Sequence, residues 1–300
     1  MQAERTDASV TDVSRSFLFV PADSERKLQK AADCAADALI VDLEDSVAAT
    51  RRSYARQLAA EFLRDSDNAW VRINPLDTQD ALADLRAVMP AGPPGICLPK
   101  PRGARDAVQL GKLLDVLEQE HGIAAGRTAI MPVATERPEA LFSLQDYAQG
   151  IPRLSALTWG AEDLSAALGA TANRDGQGNW LAPYEVARSM VLFAAAAAGV
   201  AAVDTVFTDF QDADGLQQFV ERSRRDGFSG MLAIHPAQLD EINARFTPSA
   251  EEVARARKIV ELFADDEDAG VVALDGEMID RPHLTQARRI LQLADTLESD

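Results

Sequence analysis

Short apolar runs alternate along the chain with longer stretches in which apolar residues recur at helical spacing. The predicted strands are residues 16–20, 37–43, 69–75 and 95–100, the apolar part of 128–136, and residues 154–159, 201–207 and 230–234. The helices predicted between them include residues 25–34, 106–120, 139–147, 184–198 and 215–225. Eight strands that alternate with helices predict an α/β fold, and specifically a (β/α)₈ TIM barrel.

The competing architecture is a doubly wound sheet, which rarely needs eight strands in such even order. No GxGxxG motif follows the first strand. Beyond the barrel the pattern predicts a helix over residues 250–264, an acidic turn at 265–268, a further segment at 271–280 and a last helix from Pro282. We therefore divide the chain into a loosely ordered tail (1–14), a barrel (15–245) and a C-terminal extension (246–300).

The fifth and sixth predicted strands are each followed by an acidic side chain. Glu136 follows the fifth strand, and Asp163 comes just after Gly160 at the end of the sixth. Ligands bind at the carboxyl ends of the strands in parallel α/β folds, so these two carboxylates are candidates for one site. With no Cys or His nearby, they suit a hard cation such as Mg²⁺. The alternative is that each acid caps the helix that follows it.

Charged residues also follow the second, third and fourth strands. Asp42, Glu44 and Asp45 form an acidic cluster, and strand alternation puts Asp42 and Glu44 on one side. Arg72 lies among apolar neighbours in the third strand, where an unpaired charge is costly. It either pairs with the acidic cluster or binds a substrate carboxylate, and a guanidinium has enough donors for both. Lys100 ends the fourth strand.

The helix after the first strand carries Arg26 and Lys30 on one face, because they are four residues apart. This pair of cations is close to the carboxyl end of a strand and can hold phosphate groups. The alternative is a solvated helix face.

The 300-residue chain has 30 basic and 48 acidic residues and a net charge of −18. A field of this sign repels nucleic acid and anionic membranes, so we expect neither as a partner. No apolar stretch is long enough to span a membrane, and no signal peptide is predicted. Cys34 and Cys97 lack metal-binding spacing and are expected to be reduced, which favours a cytoplasmic protein. The absence of a GxSxG turn disfavours a Ser-His-Asp hydrolase.

Several motifs occur in a specific order from about Ser16 to Gln286, which is nearly the whole chain. They are FLFVPADSERKLQKA, LIVDLEDSV, VRINP, CLPKPR, the Glu of ATERPEA, GAEDLSAALGA, AIHPAQLDEINARFTPS and DGEMIDRPHL. Each is short, but together they are specific. On these motifs the chain resembles the citrate lyase β-subunit-like enzymes, a family that includes malyl-CoA and citramalyl-CoA lyases.

The resemblance implies a TIM barrel with a C-terminal helical lid, assembled as a homotrimer or a multiple of trimers. It implies that Glu136 and Asp163 bind Mg²⁺, which Mn²⁺ can replace, and that Arg72 holds the substrate. The side chains expected to support Arg72 or the metal waters are Asp42, Glu44, Asp45 and Lys100. Asp280 matches a catalytic acid that relatives carry on the lid of a neighbouring subunit, which would restrict the active site to the oligomer.

The resemblance also implies a coenzyme A site. Arg26 and Lys30 would meet the phosphates, which favours the functional interpretation of this pair. Phe19 replaces a Tyr that some relatives place beside the coenzyme, so that hydroxyl contact is absent here. Ile234 and His235 fall in the loop that borders the thioester in relatives.

The reaction implied is a reversible Claisen-type cleavage of a 3-hydroxyacyl-CoA into acetyl-CoA and a 2-oxoacid. Citramalyl-CoA, malyl-CoA and citryl-CoA are all candidate substrates, because the methyl group that separates the first two is worth only about 1–3 kcal/mol in a pocket. A thioesterase or malate-synthase-like activity, a CoA-independent aldolase and a non-catalytic metal-binding barrel are the alternatives.

Overall fold

The computed structural model describes residues 14–264 and 270–299, so the predicted acidic turn and all of the tail except Ser14 lie outside the described residues. The chain forms two compact units, one that ends at Ile242 and one that begins at Asn243. Every helix in the described ranges is too short or too polar to cross a membrane.

The first unit contains eight parallel strands, one in each predicted apolar run. They are Ser16–Pro21 (β1), Ala38–Asp42 (β2), Ala69–Arg72 (β3), Gly95–Leu98 (β4), Ala129–Pro132 (β5), Ala156–Leu157 (β6), Ala201–Asp204 (β7) and Gly230–Ala233 (β8). Their order in the sheet is β5-β4-β3-β2-β1-β8-β7-β6. Isolated bridges, Ile130 to Leu154 and Val133 to Thr158, join the two edges of this sheet. The predicted TIM barrel is confirmed.

Helices alternate with these strands. In the first unit they are Glu25–Ala32 (α1), Arg52–Phe62 (α2), Gln79–Val88 (α3), Ala104–His121 (α4), Pro138–Leu141 (α5), Ala161–Leu168 (α6), Ala182–Ala198 (α7) and Ala213–Asp226 (α8); Leu239–Phe246 (α9) crosses the boundary between the units.

The barrel interior is a packed apolar core. Its buried members are Phe17, Ala38, Ile40, Trp70, Cys97, Met131, Val133, Ala156, Val203 and Leu232. Gly95 is required beside this core, since a Cβ there would lie 2.3 Å from the Trp70 ring. The core fills the interior, so a ligand site belongs at the strand ends, outside the packed layers.

Most predicted strands extend past the observed ones, and two predicted elements differ most from the structure. The sixth strand was predicted over residues 154–159, but regular pairing covers only Ala156–Leu157. Pro132, in the neighbouring strand, has no N–H to donate. Around it the pairing shifts by one residue, because Ile130 lies opposite Leu154 whereas Val133 lies opposite Thr158.

The helix predicted over residues 139–147 is broken into α5 and a 3₁₀ helix, Leu144–Gln149. Between them the Ser143 hydroxyl donates to the carbonyl of Ala140 (3.1 Å). Such local side-chain hydrogen bonds compete with the regular helical pattern.

The second unit contains the two helices that were predicted for the C-terminal extension, and the segment predicted at 271–280 forms a hairpin. The helices are α10 (Ala250–Ala264) and α11 (Arg281–Ser299), and the antiparallel hairpin consists of β9 (Val271–Leu274) and β10 (Glu277–Asp280). Asp275 and Gly276 connect the strands with φ values of 49° and 84°, as the Asp-Gly pair of a type I′ turn requires. The unit has its own core, formed by Ala256, Ile259, Phe263, Leu274, Ile279, Leu284 and Ala287.

Candidate active site

Charged side chains from five adjacent strands meet at one end of the barrel. Asp42 and Arg72 are the last residues of β2 and β3. Lys100 follows β4, Glu136 follows β5, and Asp163 lies in the first turn of α6, after β6. Because parallel strands end on the same side of a barrel, this order in the sheet brings the charges together.

Arg72 is paired with the acidic cluster, which is one of the two interpretations that the sequence offered. Its Nε and NH2 atoms both donate to the Asp42 carboxylate at 2.7 Å, and NH1 lies 3.3 Å from Glu44 Oε2. Burial disfavours the charged guanidinium, but Asp42 outweighs burial and raises the pKa of Arg72. The guanidinium also lies 4.6 Å from the centre of the Phe19 ring, which therefore contacts Arg72 by a cation–π interaction.

Lys100 carries the second cation of the site. Its ammonium lies 2.5 Å from Glu44 Oε1, 2.6 Å from Asp45 Oδ2 and 3.3 Å from Asp163 Oδ1. Burial lowers the pKa of Lys100, but hydrogen bonds to Asp45 and Glu44 outweigh it and raise the pKa above its usual value. A lysine held protonated in this way is a poor Schiff-base nucleophile.

Glu44 is buried between the two cations. One oxygen accepts from Lys100, while Oε2 makes no hydrogen bond to a described residue and lies near Arg72. Burial raises the pKa of Glu44 despite both cations. This oxygen is therefore a polar atom that a ligand can still satisfy.

Glu136 and Asp163 form the acidic side of the site. Glu136 is buried, and its Oε2 accepts from the main-chain N–H of Lys100 at 2.5 Å. Burial, and then the charge of Asp163, raise the pKa of Glu136 well above its usual value. Gly160 allows this arrangement, because a Cβ there would lie 2.7 Å from Glu136 Cγ.

The donor set fits a hard divalent cation. Asp42, Glu44, Asp45, Glu136 and Asp163 supply five carboxylates against the two cations, an excess of three negative charges when all are ionised. No group of three or more potential ligands converges at metal-binding geometry among the described residues. Two protein carboxylates with water and substrate oxygens are the usual pattern for Mg²⁺.

Of the residues assigned to the coenzyme A site, Phe19 contacts Arg72, and the others do not contact this cluster. The side chains of Arg26 and Lys30 are exposed on α1 and make no hydrogen bond or ion pair with a described residue. The main-chain N–H groups of Ile234 and His235 both donate to Gln238 Oε1, at 2.9 and 3.2 Å. The His235 ring stacks on Phe210 with centroids 4.9 Å apart.

Asp280 belongs to the second unit, at the end of β10. Its Oδ1 atom lies 2.5 Å from Nδ1 of His283, a partner that the sequence analysis missed. The signal was their spacing of three residues, because Asp280 directly precedes α11 and His283 lies in the first turn of that helix.

A second group of interacting side chains, also missed by the sequence analysis, fixes the turn that precedes Asp163. Trp159 Nε1 donates to Asp204 Oδ1 at 2.7 Å, and Arg188 donates to the other oxygen of that carboxylate. All three side chains are buried, so the turn at Gly160 is anchored to the body of the barrel.

The protein is thus an α/β barrel, and the carboxyl ends of its strands carry an acidic cluster whose carboxylates suit a divalent cation. The model of the HpcH/HpaI aldolase/citrate lyase family matches residues 15–236, and the chain belongs to this family.

Similar proteins cover almost the whole chain. Citrate lyase subunit beta of Leuconostoc mesenteroides is 32% identical over 93% of this chain and 93% of its own length. A (3S)-malyl-CoA thioesterase of Cereibacter sphaeroides is 33% identical over 94% of this chain and 95% of its own. The crystal structure of protein CitE from Mycobacterium tuberculosis, with magnesium, acetoacetate and coenzyme A, is 32% identical, has a TM-score of 0.75 and covers 94% of this chain and 98% of that one.

Proposed function

We propose that this protein is a Mg²⁺-dependent carbon–carbon lyase that cleaves a 3-hydroxyacyl-CoA to acetyl-CoA and a 2-oxoacid. The observation that carries the proposal is the joining of Arg72 to the Glu136–Asp163 pair through Glu44 and Lys100. One end of the barrel thus carries both an arginine that can bind a carboxylate and a pair of acids that can bind a divalent cation. Citramalyl-CoA, malyl-CoA and citryl-CoA are the candidate substrates.

Glu136 and Asp163 would hold the metal, as Mg²⁺ or Mn²⁺. The bound ion would polarise the oxygens of the substrate and lower the pKa of its hydroxyl group. The CitE structure, with magnesium and coenzyme A in a relative of the same fold, supports this assignment.

Arg72 would clamp the oxygens of the substrate carboxylate and hydroxyl group. The double contact with Asp42 fixes the plane of the guanidinium before substrate arrives, and the remaining N–H donors can stabilise charge as the bond breaks. Asp45, Glu44 and Lys100 would keep this arrangement and the metal waters in place.

The cleavage step balances without a redox partner. The hydroxyl oxygen would give its proton to solvent, the carbon that bears it would become the carbonyl carbon of the 2-oxoacid, and the C–C electron pair would leave on the enolate of acetyl-CoA, which takes up one proton. Asp280 would deliver a proton to that enolate and would act as the base in the synthetic direction. We further propose that Asp280 reaches the site from a neighbouring subunit of a homotrimer, or of a multiple of trimers.

The coenzyme would lie along α1 and the loop after β8. Arg26 and Lys30 are exposed and without ion-pair partners among the described residues, which suits them to bind phosphate. Ile234 and His235 would border the thioester, and Phe19 would act mainly through Arg72. We place the enzyme in the cytoplasm.

A thioesterase is the second candidate, because the Cereibacter relatives carry that name. In this variant, water would attack the thioester carbonyl, alone or after a malate-synthase-like condensation. A CoA-independent aldolase predicts no role for Arg26 and Lys30, and a non-catalytic barrel predicts no turnover for Asp280→Ala to abolish.

The test is an assay of the purified protein with Mg²⁺ and each of the three CoA esters, in which the 2-oxoacid and the free thiol are measured separately. A 2-oxoacid without free thiol is expected. Free thiol without a 2-oxoacid would replace the lyase by a thioesterase and remove the role given to Asp280.

A further inference from the structure

Lys100 contacts both acids of the proposed metal site, from two different ends of the residue. Its main-chain N–H donates to Glu136 Oε2 at 2.5 Å. Its ammonium lies 3.3 Å from Asp163 Oδ1. A cation of the protein itself therefore already neutralises one of the carboxylates that would hold the metal.

The three contacts of the ammonium are unequal. Glu44 and Asp45 accept hydrogen bonds from the ammonium at 2.5 and 2.6 Å, whereas Asp163 forms only an ion pair with it at 3.3 Å. Glu44 is also buried, so its charge needs a partner more than the half-exposed Asp163 does. Asp163 is thus the contact that the ammonium can give up most easily.

The backbone of Lys100 is held in an unusual conformation. Its φ is 48°, in the left-handed region that non-glycine residues rarely adopt, and prolines flank it at positions 99 and 101. The proline rings fix φ on both sides of Lys100. The main-chain N–H is anchored on Glu136, and the flexible four-carbon side chain carries the ammonium separately to its three carboxylates.

We propose that Lys100 is an internal counter-ion that a divalent cation displaces from Asp163. A cation bound between Glu136 and Asp163 repels the ammonium, which withdraws to Glu44 and Asp45. The ammonium therefore competes with the metal and lowers its affinity. This inference rests on the metal site of the proposed function.

The test measures Mn²⁺ affinity by calorimetry on the full-length protein without substrate. Lys100→Met removes the competitor and should lower the Kd by about tenfold. Lys100→Arg keeps the charge and should show no gain. The double variant Lys100→Met/Glu44→Gln keeps the net charge of the site, so a gain that persists there comes from clearing Asp163 and not from net charge.

Circular dichroism checks that each variant folds. If Lys100→Met alone does not fold, the double variant carries the same prediction, because it removes a matched charge pair. Equal or weaker Mn²⁺ binding by the folded Lys100→Met variants, single and double, would overturn the displacement and leave Lys100 as a fixed support. Failure of the wild-type protein itself to bind Mn²⁺ would overturn the metal site together with this inference.

Discussion

Arg72 shows how a single side chain is fixed in the orientation that its proposed role needs before any ligand binds. Asp42 fixes the guanidinium through two hydrogen bonds, and the Phe19 ring supports one face of it. A lysine at this position would retain the charge and lose the paired contacts. The geometry of the donor, and not its charge alone, is therefore what the substrate would meet.

Arg72→Lys is expected to reduce kcat/KM by about a hundredfold or more, because a point charge cannot match the transition-state oxygens in the way that a fixed fork does. Steady-state kinetics on the ester that the wild-type protein cleaves would measure this. The control is Arg153→Lys, which alters another arginine paired with a buried acid, Glu118. It should lower the melting temperature and leave kcat/KM unchanged. Retention of most activity by Arg72→Lys would refute the clamp.

The sequence could predict the pairing of Arg72, because a charge inside an apolar strand needs a partner. It could not predict the contacts of Lys100 with Glu136 and Asp163. These depend on a left-handed backbone at a non-glycine residue, and propensity argues against that conformation. The Asp280–His283 pair was missed for another reason, since it forms only where a strand turns into a helix.

At the scale of elements, the turn from β6 to α6 requires glycine at position 160, because there is no room for a side chain beside Glu136. Gly160→Ala is compatible with the backbone, whose φ is −118°. The new methyl group would nevertheless lie 2.7 Å from Glu136 Cγ and displace that side chain. We expect Mn²⁺ affinity, measured by calorimetry, to fall about tenfold or more. The matched control is Gly176→Ala, which meets nothing within 4 Å and should bind as the wild type does.

The junction of α4 with β5 depends on Glu118. Burial raises the pKa of this carboxyl, but Arg153 and the N–H groups of Thr128 and Gly126 outweigh it and lower the pKa to about 2. A lowered folded-state pKa means that the stabilisation is present above the unfolded value of 4.5 and is lost as the pH falls towards 2. The shift corresponds to about 3 kcal/mol.

Glu118→Gln should therefore lower the free energy of unfolding at pH 7, and the difference from wild type should shrink as the pH falls from 5 to 3. Urea denaturation curves recorded at pH values about one unit apart would measure this difference. Glu120→Gln alters an exposed residue of the same helix and should show no such pH dependence. A difference that stayed constant with pH would mean that Glu118 acts through packing and not through its charge.

All eight strands were found from their apolar runs, but most were predicted to be too long. The reason is that the chain stays apolar after the strands end; Ile73 is buried although β3 ends at Arg72. Hydrophobicity indicates which residues are buried, whereas a strand also requires a regular ladder of main-chain hydrogen bonds. Pro132 and Ser143 changed the hydrogen bonding locally, which no periodicity reveals.

At the scale of the whole molecule, the barrel follows from the number of strands, but the subunit that supplies the proposed catalytic acid, Asp280, does not. If Asp280 acts in the active site of a neighbouring subunit, each site contains Arg72 of one subunit and Asp280 of the next. Arg72→Lys and Asp280→Asn then alter different subunits' contributions, and the two variants should complement each other. In a cyclic trimer that contains both variants, one interface joins an intact Arg72 to an intact Asp280, so about a third of wild-type activity is expected. Co-expression with two different tags and sequential affinity purification would isolate these mixed trimers, and each variant alone is the control. If Asp280 acts within its own chain, no intact site can form, and the mixed trimers would be as inactive as their parents.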